Sequence, residues 1–503
     1  MALPLPGTPL IIDIGGAYVK IGFAGEPSPR FTFPCITGTE KYKSVMVDAA
    51  HRSVYVGNDA MKMRGVLKVK YPVQRGAIMN WDEYYEILNY IIYTLMRIES
   101  PSHYPVIYIE HPFVHRETRE FIARIFFETH KFKSFIMLQS PFLSMFSVGL
   151  TTGFVVESGD GVTWIVPIVN GRVNQQAIQK LNLAGIDVNH NLKTLMMREG
   201  INIESSAAEE ILREIKEKNC YFVLNPNNPT ISSDTYTYPM PDGSVKNIPN
   251  RVLHEAPEVL FQPTMLGYNI MNIPQAIIYS LQLVDKVHWR ELLEHIILSG
   301  GNLSYSGFEE RLRLELRALL PQLGKIPEHK KESTPFIEDD HKLKKLESTE
   351  KKQDTCPKCG TSVDLSDGKK ECPSCGASLE LPKISIDLGG SPARPSRCPY
   401  CNKDIKDISS TFCPFCGNSL VVVEIPTIPE KSIGTTTAAK EFTDVSDSEE
   451  IVNFFVPENM QNAIFNGASV IGSLPSFQSF FITSEEFKAD ANILYRDISD
   501  IFK

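Results

Sequence analysis

The chain has no surplus of positive charge. Its 503 residues carry 51 Lys and Arg against 60 Asp and Glu, for a net charge of −9 and a pI near 5.8. That balance argues against a surface built to coat nucleic acid, while leaving room for a local basic patch. Long apolar runs are also missing, and no stretch is long enough to span a bilayer. The opening MALPLPGTPLIIDIGG has no basic n-region, and its short apolar run ends in Asp13, so it reads as a strand and not a signal peptide. A cytoplasmic protein without membrane contacts is expected. Cysteine is scarce over most of the chain: of ten, only Cys35 and Cys220 lie outside residues 356–416. Those two read as small buried apolar residues. The other eight, in Cys-x2-Cys pairs and without a secretion signal, read as metal ligands and not as disulfides.

What is present is the composition of a soluble globular protein, 42% hydrophobic and 22% charged, in a chain long enough for several domains. Strand-like and helix-like patterns alternate over 8–321. Residues 322–355 are dense in charge and poor in apolar anchors, which marks a linker. Cysteine units follow at 356–380 and 396–420. A second linker, rich in Thr, Ser and Pro, covers 421–448, and regular pattern resumes over 449–503. The cysteine region is thus an insertion, so the chain must leave a fold and re-enter it nearby.

The two units are CPKCGTSVDLSDGKKECPSCG, with Cys356, Cys359, Cys372 and Cys375, and CPYCNKDIKDISSTFCPFCG, with Cys398, Cys401, Cys413 and Cys416. Four thiolates at this spacing suit tetrahedral zinc, and an all-sulfur set keeps no open position for a substrate. Gly360, Gly376 and Gly417 follow knuckles that turn tightly. The pair resembles tandem zinc ribbons, each too small to fold without its metal. Acidic and basic residues mix across 356–420, which favours a protein partner over nucleic acid.

NWDEYYEILNYIIYTLMRI reads as an amphipathic helix capped by Asn80, with Glu83 completing a capping-box-like start. Tyr84, Ile87, Leu88, Ile91, Ile92 and Leu95 share its core face. SSAAEEILREIKEKNC is a second helix, with Ser206 and Glu209 as its capping box and Ile211, Leu212 and Ile215 facing inward. Arg213, Lys216 and Glu217 lie on its other side, by pattern alone a solvated face. IIDIGGAYVKIGFAG and FVVESGDGVTWIVPIVNG are each strand, acidic glycine-rich turn, strand. Such turns let backbone N–H groups converge on an anion, and an acidic neighbour fits if a divalent cation is also bound. Either alone reads as a plain hairpin. Together they point to a nucleotide clamped between two related half-domains.

These segments, with RGVLKVKYPVQRGAIMNWD (64–82), LNLAGID (181–187), EILREIKEKNCY (210–221), LFQPTMLG (260–267), LSGGNLSYSGF (298–308) and SLPSFQSFFITSEEF (473–487), resemble actin and the actin-related proteins in order and spacing. The resemblance covers nearly all of the chain except the insertion. It implies a two-lobed α/β actin-like ATPase fold, of the type shared with hexokinase, with two small four-cysteine zinc ribbons inserted, and ATP with Mg2+ or Ca2+ in the cleft. Carried over by position, Asp13, Gly15, Gly16, Ala17, Tyr18 and Lys20 form the first phosphate loop, and Gly159, Asp160, Gly161 and Val162 the second. Asp13, Gln139 and Glu157 would hold the cation through water. Gly185, Arg213, Lys216 and Glu217 match the ribose and adenine contacts, so the solvated-face reading gives way. Gly300, Gly301, Ser304 and Tyr305 match the turn behind the nucleotide. Gln139 and Asp160, with Glu157, would serve hydrolysis.

The departures from the family pattern bear on turnover. Ile14 and Gly16 stand where the first loop carries a polar residue and a hydroxyl. Glu157 replaces an aspartate, and Trp164 replaces a histidine that helps to place water; indole donates a hydrogen bond but accepts none. The adenine-flanking lysine falls at about Gln461. Binding with slow or absent hydrolysis is therefore expected. For assembly, GTEKYKSVMVDAAHRSVYVG (38–57) keeps the length of the family's docking loop, and TMLGYNIMNIP (264–274) its plug segment. One reading is a filament-forming cytoskeletal ATPase associating with itself or other actin-like subunits. Another is a non-polymerising, ATP-stabilised subunit that caps or scaffolds a complex through its ribbons. Chromatin association is a third and weaker one.

Metal analysis of purified protein is expected to give two zinc ions per chain. Cys356→Ser with Cys398→Ser should unfold the insertion and leave ATP affinity within about twofold; loss of ATP affinity would show that the insertion is not an independent module.

Overall fold

The computed structural model describes residues 3–41, 54–203, 208–226, 235–240, 243–323, 353–355, 362–364 and 451–496. The chain divides into two units, 1–329 with 397–503, and 330–396. In the second, the described residues are an antiparallel pair, Gln353–Thr355 with Ser362–Asp364. The eight clustered cysteines, residues 324–352 of the first linker, the second linker, Ser206 and most of the 38–57 loop lie outside the described residues.

The first unit is built on two sheets of related plan. One uses β1 (Leu10–Ile14), β2 (Tyr18–Phe23), β3 (Phe31–Pro34), β4 (Val106–Glu110) and β5 (Ser134–Gln139). The other uses β6 (Gly153–Ser158), β7 (Thr163–Val169), β8 (Arg172–Val173), β9 (Gln179–Leu181), β10 (Ile296–Ser299) and β11 (Phe454–Phe455). Late in the chain β12 (Ile482–Thr483) returns to the first sheet, pairing antiparallel with β5. The orders are β12-β5-β4-β1-β2-β3 and β8-β7-β6-β10-β11, with β9 also on β7. In each sheet the central strand has an antiparallel hairpin partner on one side and a parallel strand on the other: β1 between β2 and β4, and β6 between β7 and β10. The parallel strands are apolar runs buried along their length, such as IIDI in β1 and VIYI in β4, because both faces are covered.

Helices α1 (Trp81–Asn89), α2 (Ser140–Phe146), α3 (Gly185–Arg198), α4 (Ala208–Asn219) and α5 (Ala463–Ser473) matter most for the site. The Asn80 carboxamide caps α1, accepting from the Glu83 N–H at 3.1 Å. The Glu83 carboxylate does not complete the expected box; it pairs with Lys70 instead, since a cation in reach outweighs one neutral N–H. Tyr84, Ile87, Leu88, Ile91 and Ile92 are buried as expected, but the helix widens into a π turn over Tyr90–Leu95 and leaves Leu95 only half-buried. Helix α5 packs directly on α2. A Cβ on Gly467 would stand 1.9 Å from the Leu143 carbonyl oxygen, so only glycine allows the approach.

The insertion leaves and rejoins the same lobe. Leu320, Ile451, Val452 and Phe454 belong to one core cluster with the second sheet. Arg313 donates to the Val452 carbonyl and lies 4.7 Å from the Phe454 ring centre. That agrees with an exit and re-entry close together. No described helix is long and apolar enough to cross a membrane.

His130 closes the first lobe behind α1. It stacks on Tyr85, its Nδ1 lies 3.1 Å from the Tyr93 hydroxyl, and burial pushes its pKa down to about 4. The unfolded chain takes up this proton near pH 6.5, so the native state loses stability as pH falls from about 6.5 to 4. His130→Phe should flatten that limb by about 2 kcal/mol at pH 4.5, read from urea unfolding at pH 4.5 and 7. An unchanged pH dependence would sink this assignment.

Candidate functional site

The two hairpin turns face one another. Gly15 N–H closes the first on the Tyr18 carbonyl at 3.0 Å, and Gly159 N–H closes the second on the Val162 carbonyl at 3.1 Å. Among the described residues, the N–H groups of Gly16, Ala17, Asp160, Gly161 and Val162 are spent on no backbone acceptor. A Cβ on Gly16 would sit 3.8 Å from Asp160 Oδ2, which measures how near the loops come. Two nests of unspent amides across a narrow gap suit a polyanion.

Asp13 is buried at the end of β1, with Lys20 Nζ 3.7 Å away across the hairpin. Lys20 also donates to the Gln461 carbonyl. Gln461 lies against Gly301, whose Cβ would come within 3.2 Å of its side chain, so Gln461 stands beside the turn behind the site. That turn is rigid. Gly300 has φ +92°, and a Cβ there would meet the Ser158 carbonyl at 2.1 Å. The Tyr305 hydroxyl donates to Asn302 Oδ1 at 3.1 Å, and Asn302 Nδ2 to Ser158 Oγ at 2.9 Å, while Ser304 is exposed.

The α4 cluster is no solvated face. Arg213 and Lys216 are buried, and Lys216 Nζ donates to the Gly185 carbonyl at 3.1 Å. Burial lowers the Lys216 pKa, opposed by the charge of Asp160; burial raises that of Glu217, opposed by Lys216 and Arg213. Tyr18 reaches this group: its hydroxyl is 3.4 Å from Glu217 Oε2 and its ring is 5.7 Å from the Arg213 guanidinium. Burial, helped by Glu217, pushes the Tyr18 phenol up to about 12. Arg213 Nε and Trp164 Nε1 are buried without a hydrogen-bond partner among the described residues, two donors in keeping with a polar ligand.

At the other end, Gln139 closes β5 and stands half-buried at the start of α2. Glu157 is buried, with Oε1 accepting from Ser140 Oγ at 2.8 Å and Oε2 from Ser144 Oγ at 3.4 Å. Each carboxylate oxygen keeps a further lone pair. With Asp13 and Gln139 this is an all-oxygen donor set, the kind a hard divalent cation takes.

Two residues here were not singled out from the sequence. His111, at the end of β4, has Nδ1 3.2 Å from Ser140 Oγ and 3.6 Å from Glu157 Oε1. Burial would lower its pKa, but the Glu157 and Asp13 carboxylates outweigh this and raise it. Its position just past the carboxyl end of a parallel strand, where α/β sheets place their ligands, was the available signal. Arg75 has φ +49° and forks onto Asp187, at 2.7 Å to Oδ2 and 2.8 Å to Oδ1. It also donates to the carbonyls of Gly161 at 3.0 Å and Asn182 at 3.1 Å. Asp187 in turn accepts from the Ala184 N–H at 2.8 Å and the Tyr268 hydroxyl at 3.2 Å. Arg75 lies inside a stretch read only for its resemblance.

Comparison with known families gives two matches. The family model described as Actin matches residues 5–335. The model described as Double zinc ribbon matches residues 356–417.

Arg75→Ala strands the buried Asp187 carboxylate and is expected to cost about 3–5 kcal/mol in chemical unfolding. Arg75→Lys should recover only part, because one ammonium cannot reproduce the fork. A loss below about 1 kcal/mol would mean that the contact between Arg75 and Asp187 carries little of the stability.

Proposed function

The chain belongs to the actin family, and on that footing we propose that it is an actin-related protein that binds Mg-ATP between its lobes and hydrolyses it slowly. The observation that carries this is the pair of facing turns with unspent amides. In the turn that Gly15 and Tyr18 close, the amides of Gly16 and Ala17 would cradle the terminal phosphates from one side, and in the turn that Gly159 closes, those of Asp160, Gly161 and Val162 from the other. Lys20 neutralises phosphate charge. Gly185, Lys216 and Glu217 take the ribose and adenine side, with Gly301, Ser304 and Tyr305 behind. Asp13, Gln139 and Glu157 would hold the divalent cation through water, and the cation supplies charge neutralisation at the phosphates. Catalysis rests on positioning and electrostatics, as phosphoryl transfer requires little else of a protein. The paired ribbons, each with a bound zinc, act as a recruiting module for a protein partner.

Filament contacts are part of the same proposal. Within 264–274, Met265 and Ile270 expose 40% and 37% of their surface, apolar side chains suited to a neighbouring subunit. A repeating heterologous contact gives an open helical assembly. One observation favours the second reading, a cytoplasmic subunit that holds ATP structurally: Trp164 is buried where the family's hairpin carries a histidine.

Zinc-loaded protein incubated with Mg-ATP should release phosphate at a rate proportional to protein and form a high-speed pellet above a critical concentration. ATP binding without turnover or pellet across a concentration series would leave only the non-polymerising reading. Failure to bind ATP would overturn both.

A further inference from the structure

The hairpin histidine that the family uses near the attacking water is absent, yet an imidazole stands in the site. We infer that His111, delivered from the first lobe, is a further water-positioning residue of this protein, beside Gln139. The inference rests on the ATPase reading above and adds a residue on which turnover depends.

Trp164 cannot take the role. Its ring is buried in a cluster with Met145, Val155, Val162 and Val166. Lys180 Nζ lies 5.4 Å from its ring centre, and Phe113 packs at 5.9 Å. An indole N–H donates and accepts nothing, so it cannot hold a water by its proton. What the indole does provide is a wall. The His111 ring lies nearly parallel to it, at 25° and 6.4 Å between centres.

The imidazole is held by groups that belong to the site on every side. Ser140, next to Gln139, lies 3.2 Å from Nδ1, and Glu157 Oε1 lies 3.6 Å from the same atom. On the same lobe, a Cβ on Gly76 would stand 3.7 Å from His111 Cδ2 and, across the gap, 3.6 Å from Val162 of the second loop. Nδ1 is therefore anchored, while Nε2 makes no hydrogen bond among the described residues. The side chain is 26% exposed, so Nε2 is within reach of solvent in the cleft. The strand end is fixed by Pro112 and by Phe113 at φ +61°, a conformation that bulky residues adopt only when the surroundings impose it.

In the neutral imidazole, with the proton on Nδ1 toward Ser140 and Glu157, Nε2 accepts a hydrogen bond from the attacking water and aims its oxygen at the terminal phosphorus. The new P–O bond forms as the bond from that phosphorus to the bridging oxygen breaks. The bonding electron pair leaves with ADP, and the water's proton ends on the released phosphate or in solvent. His111 orients the water and need not keep the proton. Moving the imidazole from β7 to the end of β4 thus preserves the function while its former seat becomes hydrophobic core.

Single-turnover phosphate release, binding of a fluorescent ATP analogue, and binding of ADP with aluminium fluoride would be measured for wild type, His111→Ala, His111→Gln and His111→Ala/Trp164→His. Hydrolysis by His111→Ala is expected to fall about 10- to 100-fold. ATP-analogue affinity should stay within about twofold, and aluminium fluoride should bind more weakly in parallel with the rate. His111→Gln, with an amide oxygen near the Nε2 position, should recover part of the rate, as should the double variant, which returns an imidazole to the hairpin. Should His111→Ala fail to fold, His111→Gln and the double variant carry the test. Normal hydrolysis and aluminium fluoride binding in a folded His111→Ala overturns the role of His111 and leaves the ATPase reading standing. Wild type that binds ATP but neither hydrolyses it nor holds aluminium fluoride overturns both.

Discussion

Loop, helix and lobe meet on one guanidinium. Arg75 belongs to the first lobe, yet it holds the second glycine turn by the Gly161 carbonyl, the approach to α3 by the Asn182 carbonyl, and the first turn of α3 by Asp187. The base of the loop around Gly161 is pinned by Ser158 Oγ and Thr163 Oγ1, 2.6 Å apart, while its tip is glycine-rich. That tip is also held from outside, by Arg75 on the Gly161 carbonyl and by the Gly185 and Ile186 N–H groups on the carbonyls of Gly159 and Asp160. A cradle made of backbone needs such a scaffold, because amides give strong directional binding only when they are already pointed. The glycine at 161 is part of the same arrangement: a Cβ there would come within 2.8 Å of the Arg75 backbone nitrogen.

Much of the fold was legible because its signals are local. Strand, acidic glycine turn, strand is a pattern that few structures other than a tight hairpin satisfy, and both hairpins form over the expected residues. The Asn80 cap and the apolar face of α1 were readable for the same reason. The π widening after Asn89 was not, since it answers to what packs around Tyr90 and Tyr93 and not to the periodicity of the segment. The Glu83 pairing failed likewise, because its partner Lys70 is brought by tertiary structure.

The site divides in the same way. Residues in the turns declare themselves, and the buried state of Arg213 and Lys216 agrees with the family resemblance and not with the helical pattern taken alone. His111 carries no motif. The sequence shows that an imidazole is gone from position 164, and only the fold shows that a different strand ends against the same spot. A residue missing from one sheet can be made good from the facing sheet, since the His111 and Trp164 ring centres are 6.4 Å apart. Position-by-position comparison cannot detect such an exchange.

Both junctions of the insertion are rooted in the second lobe, tied together by Arg313. The segment that afterwards crosses to the first lobe, through α5 and β12, begins only beyond that root. Leu323 and Ile451, the described residues that flank the insertion, are both anchored against the second lobe's core, so holding the chain on either side of it takes no contact with the first sheet. A pull on either of these residues is borne by the second lobe's own core.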